Sequence, residues 1–249
     1  MSIDSKAPTT SRGGKPKSNL RGRPQDSEDV RISKTLSYIL RHGAAKEGLK
    51  MRSDGYIKVD DLLARPKLKG VEFAVLEGIV KNNDKKRYQM LFEPTDPVEP
   101  GDTELKPTEG TWWIRANQGH TLKVEELELR EIQSAEEIPV VVHGTALKTW
   151  PAIEKTGLSR MARNHIHLAT GKLGDEGVIS GMRASHAKNG VLIYVDVPKA
   201  MADGIRFYMS ANGVVLSEGN KDGVLEKKFF KRVETANGEV LYESPSDEQ

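Results

Sequence analysis

The segments RYQMLFE (residues 87–93) and TWWIRAN (residues 111–117) decide the fold of the first half of the chain. Both carry aromatic and other large side chains of the kind enriched in β-strands. The residues between them combine several prolines with an acidic excess, which predicts a long hairpin loop at residues 93–110. Helices are predicted upstream of this two-stranded wing, so the pattern indicates a winged helix, a shape that often docks on nucleic acid.

The two long upstream helices are predicted from the spacing of apolar residues. The second of them covers residues 71–84. In the first, Ser33 suits the N-cap position and Gly43 suits the left-handed residue that closes a helix. One face of this first helix is expected to be buried, and it consists of Ile32, Leu36, Ile39 and Leu40.

Arg41 and His42 stand in the last turn of this predicted helix. Cations at that place complement the negative end of the helix dipole, so the pair is explained by helix capping without any chemistry. A helix end is also a rigid place on which to mount two functional side chains. Taken alone, this stretch favours the cap and leaves a catalytic role open.

The second half of the chain is predicted to be rich in strands, with two or three helices. Helices are predicted at residues 147–157, closed by Gly157, and at residues 179–190, while Asn212-Gly213 suits a tight hairpin turn. Apolar runs predict strands at residues 139–145, 165–169, 191–197 and 227–234.

Composition limits the classes of protein to which the chain can belong. It has 249 residues, a net charge of +2 and no cysteine, which excludes disulfides, thiol nucleophiles and cysteine-ligated zinc. No apolar run is long enough to span a bilayer, and no secretory signal is visible. We therefore expect an intracellular monomer of the cytoplasm, the nucleus or both, without a membrane partner.

Four regions are expected along the chain. Residues 1–28 are basic and poor in large apolar groups, which predicts a disordered arm that either contacts nucleic-acid phosphates or only aids solubility. Residues 29–135 are expected to form the winged-helix-like lobe, and residues 136–242 the strand-rich lobe. Residues 243–249 are expected to be a disordered tail.

Several polar residues have ordinary explanations when each is taken singly. Arg115 could stack on a neighbouring tryptophan by a cation–π contact, and Arg163 could be an ordinary solvated arginine. His165 and His167 would point to the same side of a strand and could both reach a metal ion. No cysteine or carboxylate pattern accompanies them, so we expect two polar histidines that line a cleft, and no metal.

Six segments, taken in order, resemble one family, the NAD-dependent RNA 2′-phosphotransferases, which act in tRNA splicing. The resemblance spans about residues 30–234. The segments are LSYILRHGA (36–44), IRANQGHT (114–121), VVHGT (141–145), GLSRMARNHIHLA (157–169), VLIYVDV (191–197) and FYMSANGVVLSEG (207–219).

The resemblance implies an α+β fold with an N-terminal winged-helix-like RNA lobe and a C-terminal, β-rich, ADP-ribosyltransferase-like NAD lobe. It also implies a two-step reaction with NAD⁺ as co-substrate and no metal. The 2′-phosphate of a spliced tRNA, or of another RNA, first displaces nicotinamide from NAD⁺. The ribose 2″-OH then attacks the phosphorus, which releases RNA with a free 2′-OH and ADP-ribose 1″,2″-cyclic phosphate.

The resemblance further assigns four catalytic residues, namely Arg41, His42, Arg115 and Arg163. The three arginines would bind the 2′-phosphate, because a guanidinium offers permanently charged, bidentate donors to such an anion. His42 would bind phosphate or ribose, or act as an acid or base near neutral pH. His120 is a second substrate-binding candidate.

The NAD⁺ site implied by the resemblance lies in the second lobe. His143, Gly144 and Thr145 would hold the adenosine side, and His165 and His167 would lie in the same cleft. The remaining candidates are Gly157 and Leu158 near the adenosine side, and Asn212 and Val214 at the nicotinamide end.

Three other functions are compatible with parts of this pattern. One is an ADP-ribosyltransferase that caps nucleic-acid phosphates and stops after the first step. Another is a winged-helix RNA-binding protein whose second lobe is catalytically inactive. The third is a metal-dependent phosphatase, which would lose activity with a chelator and would not need NAD⁺.

Overall fold

The computed structural model describes residues 20–95, 109–122, 124, 128–172 and 189–245. In these ranges the chain is a mixed α+β protein with several small antiparallel sheets and few helices. The α-helices are α1 (Glu28–Tyr38), α2 (Val59–Leu63), α3 (Phe73–Lys81), α4 (Trp150–Thr156) and α5 (Val197–Ala202). The strands are β1 (Ile57–Lys58), β2 (Tyr88–Pro94), β3 (Gly110–Ala116), β4 (Leu129–Glu131), β5 (Val142–Ala146), β6 (Leu158–Ser159), β7 (Ile166–Leu168), β8 (Gly190–Val195), β9 (Phe207–Ser210), β10 (Val215–Ser217), β11 (Val224–Leu225), β12 (Phe230–Thr235) and β13 (Val240–Glu243).

The first lobe is a three-stranded sheet, in the order β1-β3-β2, packed against α1, α2 and α3. The long pair β2–β3 runs in register from Tyr88 opposite Ala116 to Pro94 opposite Gly110, so both predicted strands are confirmed. The predicted loop between them has residues 96–108 outside the described residues. The core of the lobe contains Leu36, Leu40 and Ile114, all fully buried.

The second lobe contains two four-stranded antiparallel sheets, in the orders β13-β12-β8-β5 and β4-β9-β10-β7. An antiparallel bridge between Val142 and Ala169 joins β5 to the end of β7, and a small sheet pairs β11 with β6. Residues of both large sheets share one apolar core, which includes Phe207, Phe229 and Phe230. This core holds the loops that follow β5 and precede β7 in fixed positions.

The first helix begins and ends differently from the prediction. Its N-cap is Ser27, whose hydroxyl accepts from the Val30 N–H, whereas Ser33 lies inside the helix and meets the Tyr88 hydroxyl. The predicted apolar face is buried. After Tyr38 the chain continues as a π-helical turn over Ile39–Gly43, so Gly43 does not close a helix; the left-handed residue comes later, at Gly48.

Region boundaries also differ in two places. Leu20 packs against the first core and the Arg21 N–H donates to the Thr35 hydroxyl, so residues 20–27 fold onto α1 instead of extending the predicted arm to residue 28. At the other end of the lobe, β4 pairs with β9 and Ile132 enters the second core. The second lobe therefore includes β4 from Leu129 onward and does not begin at residue 136.

Other predictions of the second lobe are confirmed with small shifts. α4 has Pro151 in its first turn and is closed by Gly157 at φ +81°. The hairpin β9–β10 turns through Gly213 at φ +76°. The strand predicted at residues 139–145 runs over Val142–Ala146, so His143 and Gly144 lie inside it rather than at its end. The helix predicted at residues 179–190 lies largely outside the described residues, as do the basic residues 1–19 and the end of the tail.

Candidate active site at the junction of the two lobes

Arg41 is carried into the junction between the lobes by the π-helical turn that follows α1. Its guanidinium is largely buried, and among the described residues its Nε and Nη2 atoms have no hydrogen-bond partner. Burial lowers the pKa of Arg41 to about 10, and the positive charges of Arg87 and Arg163 act in the same direction. A buried guanidinium whose donors are unused can bind an anion through charge-assisted hydrogen bonds.

The His42 ring contacts the Thr121 hydroxyl, which in turn contacts the backbone of Arg41. Its Nδ1 atom lies 3.0 Å from the Thr121 hydroxyl, and that hydroxyl donates to the Arg41 carbonyl at 3.4 Å. In the tautomer with the proton on Nδ1, His42 donates to this hydroxyl and its Nε2 atom is free to accept. Partial burial lowers the pKa of His42, as do the charges of Arg41 and Arg163.

Arg163 comes from the second lobe, in the loop between β6 and β7. Its N–H donates to the Arg160 carbonyl at 3.2 Å, and the Arg160 guanidinium donates to the Arg163 carbonyl at 2.7 Å. The loop is tied to the first lobe by Asn164, whose N–H donates to the His120 carbonyl and whose side chain donates to the Leu122 carbonyl. The charge of Arg163 contributes to the lowered pKa of both Arg41 and His42, so the three residues lie within range of one another's charges.

Arg115 lies on β3 and is almost completely buried. Its guanidinium donates to Gln89 Oε1, to the Asp54 carbonyl and, at 2.6 Å, to Glu128 Oε2, and it stacks over the Tyr56 ring at 4.7 Å. All three of its nitrogen atoms therefore have protein partners. The tryptophan contact considered from the sequence is made instead by Arg52, whose guanidinium lies 4.8 Å from the Trp113 ring.

His120 is buried behind Arg41 and His42. Neither of its ring nitrogens has a hydrogen-bond partner among the described residues. Burial lowers the pKa of His120 to about 4, and the charge of Arg41 contributes. The imidazole is therefore neutral at physiological pH and offers an unused acceptor beside the Arg41 guanidinium.

Two histidines of the second lobe have fixed tautomers. The Nδ1 atom of His143 donates to the His167 carbonyl at 2.9 Å, and the Nδ1 atom of His167 donates to the His165 carbonyl at 3.0 Å. Burial lowers the pKa of both side chains, that of His167 to about 3. Their Nε2 atoms are therefore acceptors, and the buried Nε2 atom of His167 has no partner in the part of the chain that the structure describes.

The remaining residues predicted for the NAD⁺ site fall into two groups. Gly144 and Thr145 continue β5 beside His143, and the Thr145 hydroxyl meets that of Thr149 at 2.9 Å. Gly157 and Leu158 are packed against β11: a Cβ on Gly157 would lie 2.6 Å from Val224 Cγ1. Gly157 and Leu158 are therefore placed to pack β6 against β11.

His165 opens onto a different surface from His167. It lies in a cleft of about 1270 Å³ with Arg160, Tyr208 and Glu218, and its ring centroid is 6.1 Å from that of Tyr208. Burial lowers its pKa, while the Glu218 carboxylate opposes that shift. Of the two histidines, His167 is the one whose ring lies under the influence of Arg163 and Arg41.

Asn212 and Val214 are buried in the β9–β10 hairpin. The Asn212 side chain donates to the Lys85 carbonyl of the first lobe at 3.0 Å, and its Oδ1 accepts from the Ser210 hydroxyl. Val214 is bonded through its N–H to the same hydroxyl. The polar atoms of Asn212 thus join the two lobes.

Sequence reasoning did not identify three residues that shape the site: Thr121, Asn164 and Arg21. The first two lie within the segments that carry the resemblance, so the signal was present. Arg21 belongs to the predicted arm; its guanidinium lies 3.9 Å from the Tyr38 ring centroid, and its charge contributes to the lowered pKa of His42.

The described part of the chain holds no group of three or more His, Asp or Glu side chains suited to a metal ion, and none of its helices is long and apolar enough to cross a membrane.

Comparisons with known proteins give one consistent result. A family model described as "RNA 2'-phosphotransferase, Tpt1 / KptA family" matches residues 27–219. A protein of Schizosaccharomyces pombe is 46% identical over 98% of this chain, which spans 60% of that relative's length. The "tRNA 2'-phosphotransferase 1" of Danio rerio is 45% identical over 91% of this chain and 93% of its own. The "tRNA 2'-phosphotransferase" of Saccharomyces cerevisiae is 35% identical over 83% of this chain and 86% of its own.

Proposed function

This chain belongs to the RNA 2'-phosphotransferase, Tpt1 / KptA family, and we propose that it removes the 2′-phosphate left on a spliced tRNA. The acceptor of that phosphate is NAD⁺. The products are RNA with a free 2′-OH, nicotinamide and ADP-ribose 1″,2″-cyclic phosphate, and the reaction passes through an ADP-ribosylated RNA 2′-phosphate. In this proposal the first lobe is the winged-helix-like RNA lobe and the second is the ADP-ribosyltransferase-like NAD lobe.

One observation supports this proposal more than any other: the Nε and Nη2 donors of Arg41 have no partner among the described residues, and the positive charge of Arg163 contributes to the lowered pKa of Arg41. Arg41 is largely buried and Arg163 is exposed; their like charges repel one another, and an anion between them would relieve that repulsion. A phosphate dianion between them would accept hydrogen bonds from both. The charge pattern therefore favours a phosphate over a neutral substrate.

Each residue has a separate task in this proposal. The 2′-phosphate is already a nucleophile, so the first step needs orientation by Arg41 and Arg163 more than it needs a base. In the second step charge builds up on phosphorus, and preorganised guanidinium donors stabilise it. With its proton on Nδ1 and bound to the Thr121 hydroxyl, His42 would use its Nε2 atom to take the proton of the attacking ribose hydroxyl.

The second lobe has groups that fit NAD⁺. The Nε2 atoms of His143 and His167 are acceptors, and the one on His167 is buried with no partner within the described ranges, so a ribose hydroxyl would satisfy it. Gly144 and Thr145 lie on the same strand beside His143. When bound, NAD⁺ supplies an anomeric carbon with nicotinamide as its leaving group.

A short RNA with an internal 2′-phosphate tests the proposal. The protein is incubated with this RNA, with and without NAD⁺, and chelator is present in both reactions. We expect the 2′-phosphate to be lost only with NAD⁺, and ADP-ribose 1″,2″-cyclic phosphate to appear in equal amount.

Each other outcome identifies a different function. A stable ADP-ribosylated RNA would indicate a capping ADP-ribosyltransferase. RNA binding without turnover and without NAD⁺ binding would indicate an inactive RNA-binding protein. Phosphate release that needs no NAD⁺ and stops with chelator would indicate a metal-dependent phosphatase.

A further inference from the structure

Three consecutive cations, Lys85, Lys86 and Arg87, form a tight turn between α3 and β2 and have no part in the proposed chemistry. The Lys86 N–H donates to the Asn83 carbonyl at 2.7 Å, and the Arg87 N–H donates to Asn83 Oδ1 at 3.1 Å. Lys86 has φ +41°, a left-handed conformation that costs energy in a residue with a side chain. Such strain persists only where the surrounding structure imposes it.

Two buried asparagines impose the shape of this turn. Asn117, on the segment that follows β3, donates through its side chain to the Lys86 carbonyl at 2.6 Å. Asn212, from the second lobe, donates to the Lys85 carbonyl at 3.0 Å. Each asparagine is at least 94% buried, so both bonds are shielded from water. The turn is therefore held rigidly and from both lobes at once.

The turn also concentrates positive charge beside the candidate active site. The charge of Arg87 acts on Arg41, and burial together with Arg87 lowers the pKa of Lys85. A cleft of about 710 Å³ adjoins the turn and contains the hydroxyls of Ser33 and Ser37. The other charged groups that line it are Lys34, Asp29 and Asp84, and Lys34 is paired with Asp26.

We propose that the Lys85–Arg87 turn binds a backbone phosphate of the RNA, next to the nucleotide whose 2′-phosphate reaches Arg41. This inference rests on the proposed function and adds a second phosphate site to it. Repulsion between Arg87 and Arg41 is relieved when both cations have phosphate partners. Backbone phosphate contacts fix the register of a nucleic acid without reading its sequence, so the turn would set which 2′ position enters the site.

The proposal gives Asn212 a positioning role. By holding the Lys85 carbonyl it keeps the cationic turn in one place relative to the second lobe. Substitution of Asn212 by serine is therefore expected to raise the KM for RNA severalfold and to leave the KM for NAD⁺ unchanged. A rise in the KM for NAD⁺ alone would assign Asn212 to the nicotinamide end instead and would overturn this role.

The decisive experiment measures RNA binding as a function of salt. A fluorescent single-stranded RNA with one 2′-phosphate is titrated with full-length protein between 50 and 200 mM KCl. The variants are Lys86→Asn and Arg87→Gln; asparagine is chosen at position 86 because it tolerates a left-handed backbone. The control is Lys69→Gln, which removes one exposed charge from the same lobe. Thermal unfolding of every variant establishes that it is folded.

A plot of log affinity against log salt concentration should become less steep by about 0.7 for each phosphate contact that is lost. Between 50 and 200 mM KCl the ratio of wild-type to variant affinity should then change by about threefold. We expect this change for Lys86→Asn and Arg87→Gln, and full recovery with Arg87→Lys. Lys69→Gln should keep the wild-type slope. Equal slopes for all variants would overturn the proposal.

A neutral methylphosphonate at each linkage beside the 2′-phosphate then locates the contact. One linkage should weaken wild-type binding and have no further effect in Lys86→Asn. Additive losses at every linkage would contradict a specific contact. Binding is measured without turnover, so the two proposals can fail separately. If the variants alter the salt slope but the protein removes no 2′-phosphate, only the proposed function is refuted. If the protein removes the 2′-phosphate but the slopes are unchanged, only the phosphate site is refuted.

Discussion

The Nδ1 atom of His42 lies 3.0 Å from the hydroxyl of Thr121, a residue 79 positions further along the chain. This contact engages Nδ1 and orients the imidazole ring, which leaves Nε2 available to the substrate. Replacement of Thr121 by valine removes the acceptor for Nδ1–H while keeping the shape of the side chain, so the reactive tautomer loses its support. We expect kcat to fall by about tenfold or more, as is typical when a general base is perturbed.

Thr121→Ser is the matched control, because it keeps the hydroxyl and should retain most of the activity. Initial rates at saturating RNA and NAD⁺ measure the effect. Equal rates for the valine variant and the wild type would mean that this contact does not act in the reaction.

Arg41 should not tolerate replacement by lysine. An ammonium group is a point charge and lacks the planar fork that binds two phosphate oxygens together. We expect Arg41→Lys to lower kcat/KM by about a hundredfold or more, the range seen when one preorganised donor is lost. Arg130→Lys, at an exposed position of the second lobe, is the control and should have no effect. Substantial activity of Arg41→Lys would show that charge alone suffices.

Glu128 forms an ion pair with Arg115, the arginine that the resemblance assigns to the 2′-phosphate. Its carboxylate is 74% exposed, so the ion pair adds little stability, but it uses the Nη2 donor of Arg115. Replacing Glu128 by glutamine should weaken this competition and lower the KM for RNA, with little change in thermal stability. An unchanged or raised KM would indicate that Arg115 is not used by the substrate.

Arg115 itself is predicted to act mainly in the second step. If it stabilises the charge that builds on phosphorus, Arg115→Ala should let the ADP-ribosylated RNA accumulate, because the first step is less affected. Gel separation of labelled RNA during a time course detects this species. Residual turnover without any accumulation would contradict the role.

The buried imidazole of His120 should make stability depend on pH. Its pKa is about 4 in the folded protein and about 6.5 when unfolded, so the unfolded state binds more protons between these values. The stability linked to this group is complete above pH 6.5, is lost as the pH falls, and is gone by about pH 4. Between pH 7.5 and pH 5 the loss is about 2 kcal/mol.

Urea unfolding of the wild type and of His120→Asn at both pH values measures this contribution. The variant is expected to lose less stability on acidification than the wild type. His42→Gln, at a more exposed histidine, should change the pH dependence less. Identical pH dependence of the wild type and His120→Asn would mean that His120 can ionise without cost.

Gly157 is predicted to matter for packing rather than for NAD⁺ contact. It has φ +81°, and a Cβ there would lie 2.6 Å from Val224 Cγ1 and 2.7 Å from the Leu225 carbonyl. Gly204 has φ +84° with open space around it, so Gly204→Ala isolates the backbone strain. We expect a loss of about 1 kcal/mol for Gly204→Ala and of about 3 kcal/mol for Gly157→Ala in urea unfolding. Equal losses would mean that the loop yields to the added methyl group.

Features set by local chemistry could be predicted from the sequence. The two wing strands, the buried face of the first helix, Pro151 and the closing Gly157 depend on side chains only a few residues apart. The start of that helix also had a local signal, because Ser27 is followed by Glu28 and Asp29, an N-cap with acids in the first turn.

Features set by distant contacts could not be predicted in this way. The Arg115 guanidinium meets Gln89 because the two residues lie directly opposite each other on β2 and β3. That register is hidden while the geometry of the connecting loop is unknown. In the same way, the Asn212 side chain donates to a carbonyl 127 residues earlier, which no local pattern indicates.

The π-helical turn at Ile39–Gly43 widens the end of the first helix and keeps its apolar face buried. A π-turn accommodates one more residue than an α-turn, and each residue of an α-helix advances about 100° around the axis. Ile32, Leu36, Ile39 and Leu40 keep their inward face, while everything after them is rotated by about one residue. A relative that lacked one residue here would retain the hydrophobic face of the helix and point Arg41 and His42 away from the second lobe. The length of this turn therefore predicts which related chains can assemble the site.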